Sequence, residues 1–298
     1  MKLAAVDLGG TWAIGVVDPA EGTVRVAPGG LGTVDDVIRG AVDLGQVADA
    51  VRDAAPRPLT EVRLGSPVQR FNRDVLCTGW NYLDHFYESA GKREGQDPDA
   101  LPEHPTFFTK GPDTVVGPHD RIAFDAAISA KWDYEAEIAI VIGRDGRSIR
   151  PEAAHRHVFG YLVANDVSQR DLQRAHGGQW LKGKSIDATM PLGPWLTTAD
   201  EVGDVADLRI SCELNGELLQ DASAADMAFP IPRIIAELSR GMTLRAGDVI
   251  LTGTPSGIGN AREPAIYLAE GDVLVTRVSG LGELRNTLAR VDLAGASA

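Results

Sequence analysis

Glu135 and Glu137 stand two residues apart in the run Trp132-Asp133-Tyr134-Glu135-Ala136-Glu137-Ile138-Ala139-Ile140-Val141-Ile142-Gly143. From Tyr134 onward apolar and β-branched residues dominate and a glycine closes the run, so it reads as a strand. Side chains alternate faces along a strand. Both carboxylates therefore project to one side, with Tyr134, Ala136, Ile138, Ile140 and Ile142 on the other, which needs a core. Paired carboxylates repel unless a cation or water offsets them. A metal ion, a Lys/Arg partner and a solvated face are the three readings. Asp166, at the end of a following strand, would add a third carboxylate, and Lys184 in Lys182-Gly183-Lys184-Ser185-Ile186-Asp187 a cation. Three carboxylates in one pocket suit a hard divalent ion with oxygen ligands. With no His/Cys set at zinc spacing, Mg²⁺ or Mn²⁺ is favoured over Zn²⁺.

His85 and Glu88 form a second candidate. At i, i+3 on a short helix they share a face, and a histidine oriented by a carboxylate is the usual general base for activating water. The alternative is an exposed helical pair beside the polar segment 89–105, which reads as a mobile loop that would close over substrate.

The positioning elements are short strands that outnumber helices and do not alternate with them. This predicts an α+β fold with a mixed β-sheet rolled into a barrel-like core. Residues 1–71 read as a small N-terminal α/β module: a hairpin over 3–17, then two helical patterns broken by Gly40 and Gly45. Residues 72–298 form the larger part. Within it, residues 167–175 and 232–239 read as helices and Asn215-Gly216 as a hairpin turn. Asp7-Leu8-Gly9-Gly10-Thr11 looks like the first phosphate loop of actin-like sugar kinases. The matching second half is not found, so a tight Gly-Gly turn is the favoured reading.

The chain has 298 residues, 44% hydrophobic and 24% charged, with no apolar run able to span a bilayer. A formal net charge of -13 argues against nucleic-acid binding. Two cysteines, Cys77 and Cys212, make no disulfide framework, and no secretory h-region precedes Asp7, so a cytoplasmic location is expected.

Across residues 72–291 the chain resembles the fumarylacetoacetate hydrolase superfamily. The matching motifs occur in one order. They are Gly79-Trp80-Asn81-Tyr82 with His85 and Glu88, Lys110 and its turn, and Asp133-Tyr134-Glu135-Ala136-Glu137. Next come Asn165-Asp166-Val167-Ser168-Gln169-Arg170-Asp171-Leu172-Gln173, Gly183-Lys184-Ser185-Ile186-Asp187 and Leu214-Asn215-Gly216-Glu217. The last is Gly247-Asp248 through Gly253-Thr254-Pro255-Ser256-Gly257. The resemblance implies Mg²⁺ or Mn²⁺ on Glu135, Glu137 and Asp166, with Lys184 offsetting enolate charge. It also implies that Arg170, Gln173, Thr254 and Lys110 contact substrate. Thr254 reads equally as a turn hydroxyl capping backbone.

The implied activity is hydrolysis of a C–C bond in acylpyruvate-like β-diketo acids. Water activated by His85, held by Glu88, would attack the distal ketone and leave an enolate. The alternative is a 2-oxo acid decarboxylase or isomerase (oxaloacetate or 2-hydroxyhepta-2,4-diene-1,7-dioate type), or a 3-deoxy-2-oxo sugar acid dehydratase. The resemblance and the apolar face of a rolled sheet also predict a homodimer.

Overall fold

The computed structural model describes residues 1–92, 98 and 100–295. Residues 93–97 and 99, inside the expected loop over 89–105, lie outside the described residues.

The glutamate run forms the strand Ala136–Ile142, buried along its whole length. Ile138, Ile140 and Ile142 pack into a core with Ile210, Leu274 and Leu284. Ala139 and Val141, on the other face, join a second core with Leu162, Leu192 and Leu251. Burial on both faces is why the run is almost continuously apolar, and it removes the solvated-face reading of the glutamates. The strand starts at Ala136, two residues later than Tyr134. Just before it, the Glu135 N–H donates to Asn165 Oδ1 at 3.0 Å, a side chain standing in for a ladder carbonyl.

The neighbouring strand is Val158–Asn165, antiparallel, with Ala136 opposite Asn165 and Glu137 opposite Ala164. One step on, the Asp166 N–H donates to the Glu135 carbonyl at 2.8 Å. This register brings the third carboxylate to the first two.

These strands sit in the middle of a twelve-stranded sheet. On one side of the pair lie Met190–Thr198, Lys2–Asp7 and Trp12–Asp18; on the other lie Val249–Leu251, Val75–Gly79 and Thr106–Lys110. The order is an open path with two ends, so the sheet expected to roll into a barrel does not close among the described residues. A five-stranded sheet that includes Arg209–Leu214, Val273–Val278 and Gly282–Arg290 covers one face. Helix Ile231–Ser239 buries Ile234, Ile235 and Leu238 in the same core. The α+β class holds.

The N-terminal hairpin forms, followed by helices Val34–Ile38 and Leu44–Val51. Lys2 and Leu3 pair with Thr197 and Leu196, so its strands extend the large sheet. Asp7 Oδ1 accepts the N–H groups of Gly9 and Gly10 at 2.9 and 2.8 Å, the capped tight turn that was favoured over a phosphate loop. The helix expected over 167–175 begins at Arg170. Ser168 and Gln169 instead bridge to Asp133 and Trp132, and the Ser168 hydroxyl donates to the Asp166 carbonyl at 2.7 Å, holding the chain extended.

Candidate active site

The three carboxylates converge. Glu135, Glu137 and Asp166 are buried, and each offers an oxygen within 4.8 Å of the other two. Such a cluster must be compensated. Lys184 Nζ lies 2.7 Å from both Glu135 Oε2 and Asp166 Oδ2. Lys110 Nζ lies 2.9 Å from Asp166 Oδ1 and donates to the Val167 carbonyl at 2.9 Å. Arg170 binds Glu135 Oε1 through Nη2 at 2.6 Å and Asp133 Oδ2 through Nε at 2.8 Å. Asp133 is fixed in turn by the N–H groups of Gly259 and Asn260, at 2.7 and 3.0 Å.

Glu137 differs from its neighbours. Its Oε2 accepts the Gly253 N–H at 2.6 Å, and no lysine or arginine pairs with it among the described residues. The electrostatics divide accordingly. Burial pushes the Glu135 carboxyl up, but Lys184 and Arg170 outweigh it and hold the group down at about 2. Burial, then Asp166 and Glu135, push the Glu137 carboxyl well above the ordinary range. Burial opposes the charge on Lys184, yet Asp166 and Glu135 raise its pKa. The Lys/Arg reading of the glutamate pair is thus met at Glu135, while among the described residues no lysine or arginine pairs directly with Glu137 and only the nearby Lys184 offsets its charge. An all-oxygen, buried donor set with one carboxylate lacking a direct cationic partner fits a hard divalent cation such as Mg²⁺ or Mn²⁺.

His85 stands on helix Leu83–Glu88 and is 7% exposed. Its Nδ1 is 2.9 Å from Glu88 Oε1, while Glu88 Oε2 accepts the Gly257 N–H at 2.8 Å. The pair is therefore anchored to the turn after Val249–Leu251, which also supplies Gly253 to Glu137. Gly257 has φ +101°, and a Cβ there would lie 2.1 Å from the Leu219 carbonyl oxygen, so only glycine keeps this anchor.

A cavity of about 60 Å³ is lined by His85, Glu135, Glu137, Arg170, Gln173, Lys184 and Thr254. Most of the residues expected at a site thus meet in one place. Asp166 and Glu88 support it from behind. Thr254 Oγ1 accepts from Gln220 Nε2 at 2.8 Å, and Gln220 Oε1 accepts the Ala136 N–H at 3.0 Å, which ties the threonine to the glutamate strand. Lys110, expected at substrate, is 0% exposed and braces Asp166 outside the cavity lining.

Sequence reasoning gave no role to Asp133, Phe108 or Trp180, while Trp80, beside His85, was expected only as a lid anchor or its packing. Trp80, Phe108 and Trp180 line the cavity, with Trp180 centred 5.0 Å from Trp80 and 5.1 Å from Phe108 in edge contacts. Lys184 Nζ lies 5.0 Å from the centroid of the Phe108 ring. Asp133 was legible in principle, since it lies within the quoted motif; Trp180 carries no spacing signal.

Residues 74–289 match the fumarylacetoacetate (FAA) hydrolase C-terminal family. The chain belongs to the fumarylacetoacetate hydrolase family. It is 43% identical over 230 residues to oxaloacetate tautomerase YisK of Bacillus subtilis (strain 168), covering 77% of this chain and 74% of that protein. It is 41% identical over 230 residues to the mitochondrial oxaloacetate tautomerase FAHD2A of Homo sapiens, covering 77% and 70%. Among solved structures it is similar to the fumarylacetoacetate hydrolase of psychrophilic Exiguobacterium antarcticum. That likeness has a TM-score of 0.83 at 38% identity and covers 98% of this chain and 100% of the other. Maleylpyruvate hydrolase from Sphingobium sp. SYK-6, in complex with manganese (II) ion and pyruvate, matches with TM-score 0.78 at 29% identity over 97% and 99%. Relatives in this fumarylacetoacetate hydrolase family are thus enzymes: tautomerases, isomerases and hydrolases. No helix among the described residues is long and apolar enough to cross a membrane.

Proposed function

We propose that this enzyme interconverts the keto and enol forms of oxaloacetate with a divalent cation, Mg²⁺ or Mn²⁺, on Glu135, Glu137 and Asp166. One observation carries the reading: a carboxylate-held histidine and a buried lysine line the same small cavity as the glutamates. Relatives about 40% identical are named oxaloacetate tautomerases, which supports this reaction over C–C hydrolysis as the main one. The cation would supply anchoring and polarisation of the 2-oxo acid end.

The chain's own groups supply the proton movements. With Glu88 ionised, His85 Nδ1 carries the proton and Nε2 is the free base. Nε2 takes a proton from C3 of the keto form, and charge grows on the C2 oxygen. The Lys184 ammonium offsets that charge where it develops. Return of the proton from His85 Nε2 to that oxygen then gives the enol and restores the base, and the reverse sequence ketonises it. The His85/Glu88 pair, expected above to mark hydrolysis, serves proton transfer at carbon equally well, so the pair does not decide between the two reactions.

Hydrolysis of acylpyruvates is the second reading, supported by the likeness to maleylpyruvate hydrolase. In that reaction the same nitrogen would deprotonate water. We retain the homodimer as a proposal, with the exposed Leu218 beside Trp195 on the outer sheet face as its candidate contact. Spectroscopic assay of enol-oxaloacetate ketonisation with Mg²⁺ or Mn²⁺, alongside an acylpyruvate, tests the assignment. Turnover of the acylpyruvate alone would transfer it to the hydrolase reading.

A further inference from the structure

Two hydroxyls in the catalytic cavity are unused. Thr78 and Ser89 both line it and are 1% and 7% exposed. Neither Thr78 Oγ1 nor Ser89 Oγ has a hydrogen-bond partner among the described residues. Buried hydroxyls are normally paired, and the other buried hydroxyls without a partner among the described residues, Tyr82 Oη and Thr197 Oγ1, lie outside this cavity's lining. Thr252 Oγ1 donates to the Ile138 carbonyl at 2.9 Å, and Thr254 Oγ1 accepts from Gln220. Two orphaned hydroxyls lining one cavity therefore mark a place where something else is bound.

Their positions restrict what that is. Thr78 belongs to the strand Val75–Gly79, and Ser89 caps the C-terminus of the helix that carries His85. The cavity's carboxylates and Lys184 come from other elements. A hydroxyl can donate or accept, and a carboxylate accepts from both O–H groups without leaving a donor unpaired.

We propose that Thr78 and Ser89 receive the second carboxylate of a four-carbon 2-oxo dicarboxylate. They make the site selective for dicarboxylates over 2-oxo acids with an apolar tail. The proposal rests on the tautomerase reading for which end of the substrate lies at the glutamates, and it adds the recognition of the other end.

The test uses malate and lactate, which share a 2-hydroxy acid end and differ in the second carboxylate. Binding of each to the Mn²⁺-loaded protein is measured by calorimetry for wild type, Thr78→Val and Ser89→Ala. Wild type should bind malate at least about 10-fold more tightly than lactate, the scale of one hydrogen bond to a charged group. Each variant should lose about 10-fold in malate affinity and leave lactate affinity within about 2-fold. Because neither hydroxyl has a partner to lose, the variants should also melt no lower than wild type without metal or ligand.

Equal affinity for malate and lactate in wild type, binding of neither, equal weakening of both by the variants, or a lowered melting temperature would each overturn the proposal. The readout needs no turnover, which keeps the two claims apart. A wild type that prefers malate but leaves enol-oxaloacetate unchanged removes the tautomerase assignment and keeps the recognition. An active enzyme without the preference removes the recognition alone.

Discussion

Glu137→Gln isolates the unusual feature of the carboxylate cluster. Burial, reinforced by Asp166 and Glu135, raises the Glu137 carboxyl above its ordinary 4.5. The folded protein without metal therefore keeps a proton that the unfolded chain releases. A raised acid of this kind leaves stability intact below the unfolded value, near 4.5. Stability then falls as pH rises toward the folded value. One proton sets a slope of at most about 1.4 kcal/mol per pH unit between the unfolded and folded values. At about 2–4 °C per kcal/mol, Tm falls by at most roughly 3–6 °C per pH unit across that interval. Glutamine keeps the shape and still accepts the Gly253 N–H, so Glu137→Gln should lack this component. Mn²⁺ at about 100 times its Kd should restore about 2.7 kcal/mol to wild type and little to the variant. Thermal melts in chelator across pH 5–7, with and without Mn²⁺, read both effects. Parallel Tm–pH curves, or an undiminished Mn²⁺ shift in Glu137→Gln, would refute the reasoning.

The other predictions concern proton transfer and charge. His85→Ala should slow ketonisation by about 10²-fold to 10⁴-fold, the scale of a general base, while Tm with Mn²⁺ stays near wild type; a loss under 10-fold would remove His85 as the proton carrier. Lys184→Met should abolish turnover and, without metal, cost up to about 3 kcal/mol, because it removes the cation shared by Glu135 and Asp166 and leaves them only Arg170 and Lys110. Added Mn²⁺ should recover part of that stability but not the activity, and denaturant melts plus kinetics would show it.

Much of the site was legible because strand alternation is local. Two glutamates at i, i+2 in an apolar run must share a face, and the register with Val158–Asn165 supplies Asp166. Pairing order across distant segments has no such local signal. Closure of the expected barrel-like sheet is not seen, since the large sheet runs as an open path among the described residues. Lys110 sits in the short strand Thr106–Lys110, and nothing in its neighbours tells a substrate contact from a buried brace on Asp166. Trp180 reaches the cavity only through the turn after helix Arg170–Ala175. Its ring packs so closely on Gly79 that a Cβ there would lie 2.6 Å away, a contact that spacing does not reveal.

The central claim is that the buried carboxylates hold a divalent cation needed for moving a proton on oxaloacetate. The most direct measurement is the rate of enol-oxaloacetate ketonisation above background by chelator-stripped enzyme, titrated with Mn²⁺, for wild type and Asp166→Asn. Wild type should be inactive when stripped and recover saturably with Mn²⁺, and the variant should stay inactive at every concentration. Full activity in the stripped enzyme, or equal Mn²⁺ recovery in Asp166→Asn, would contradict it.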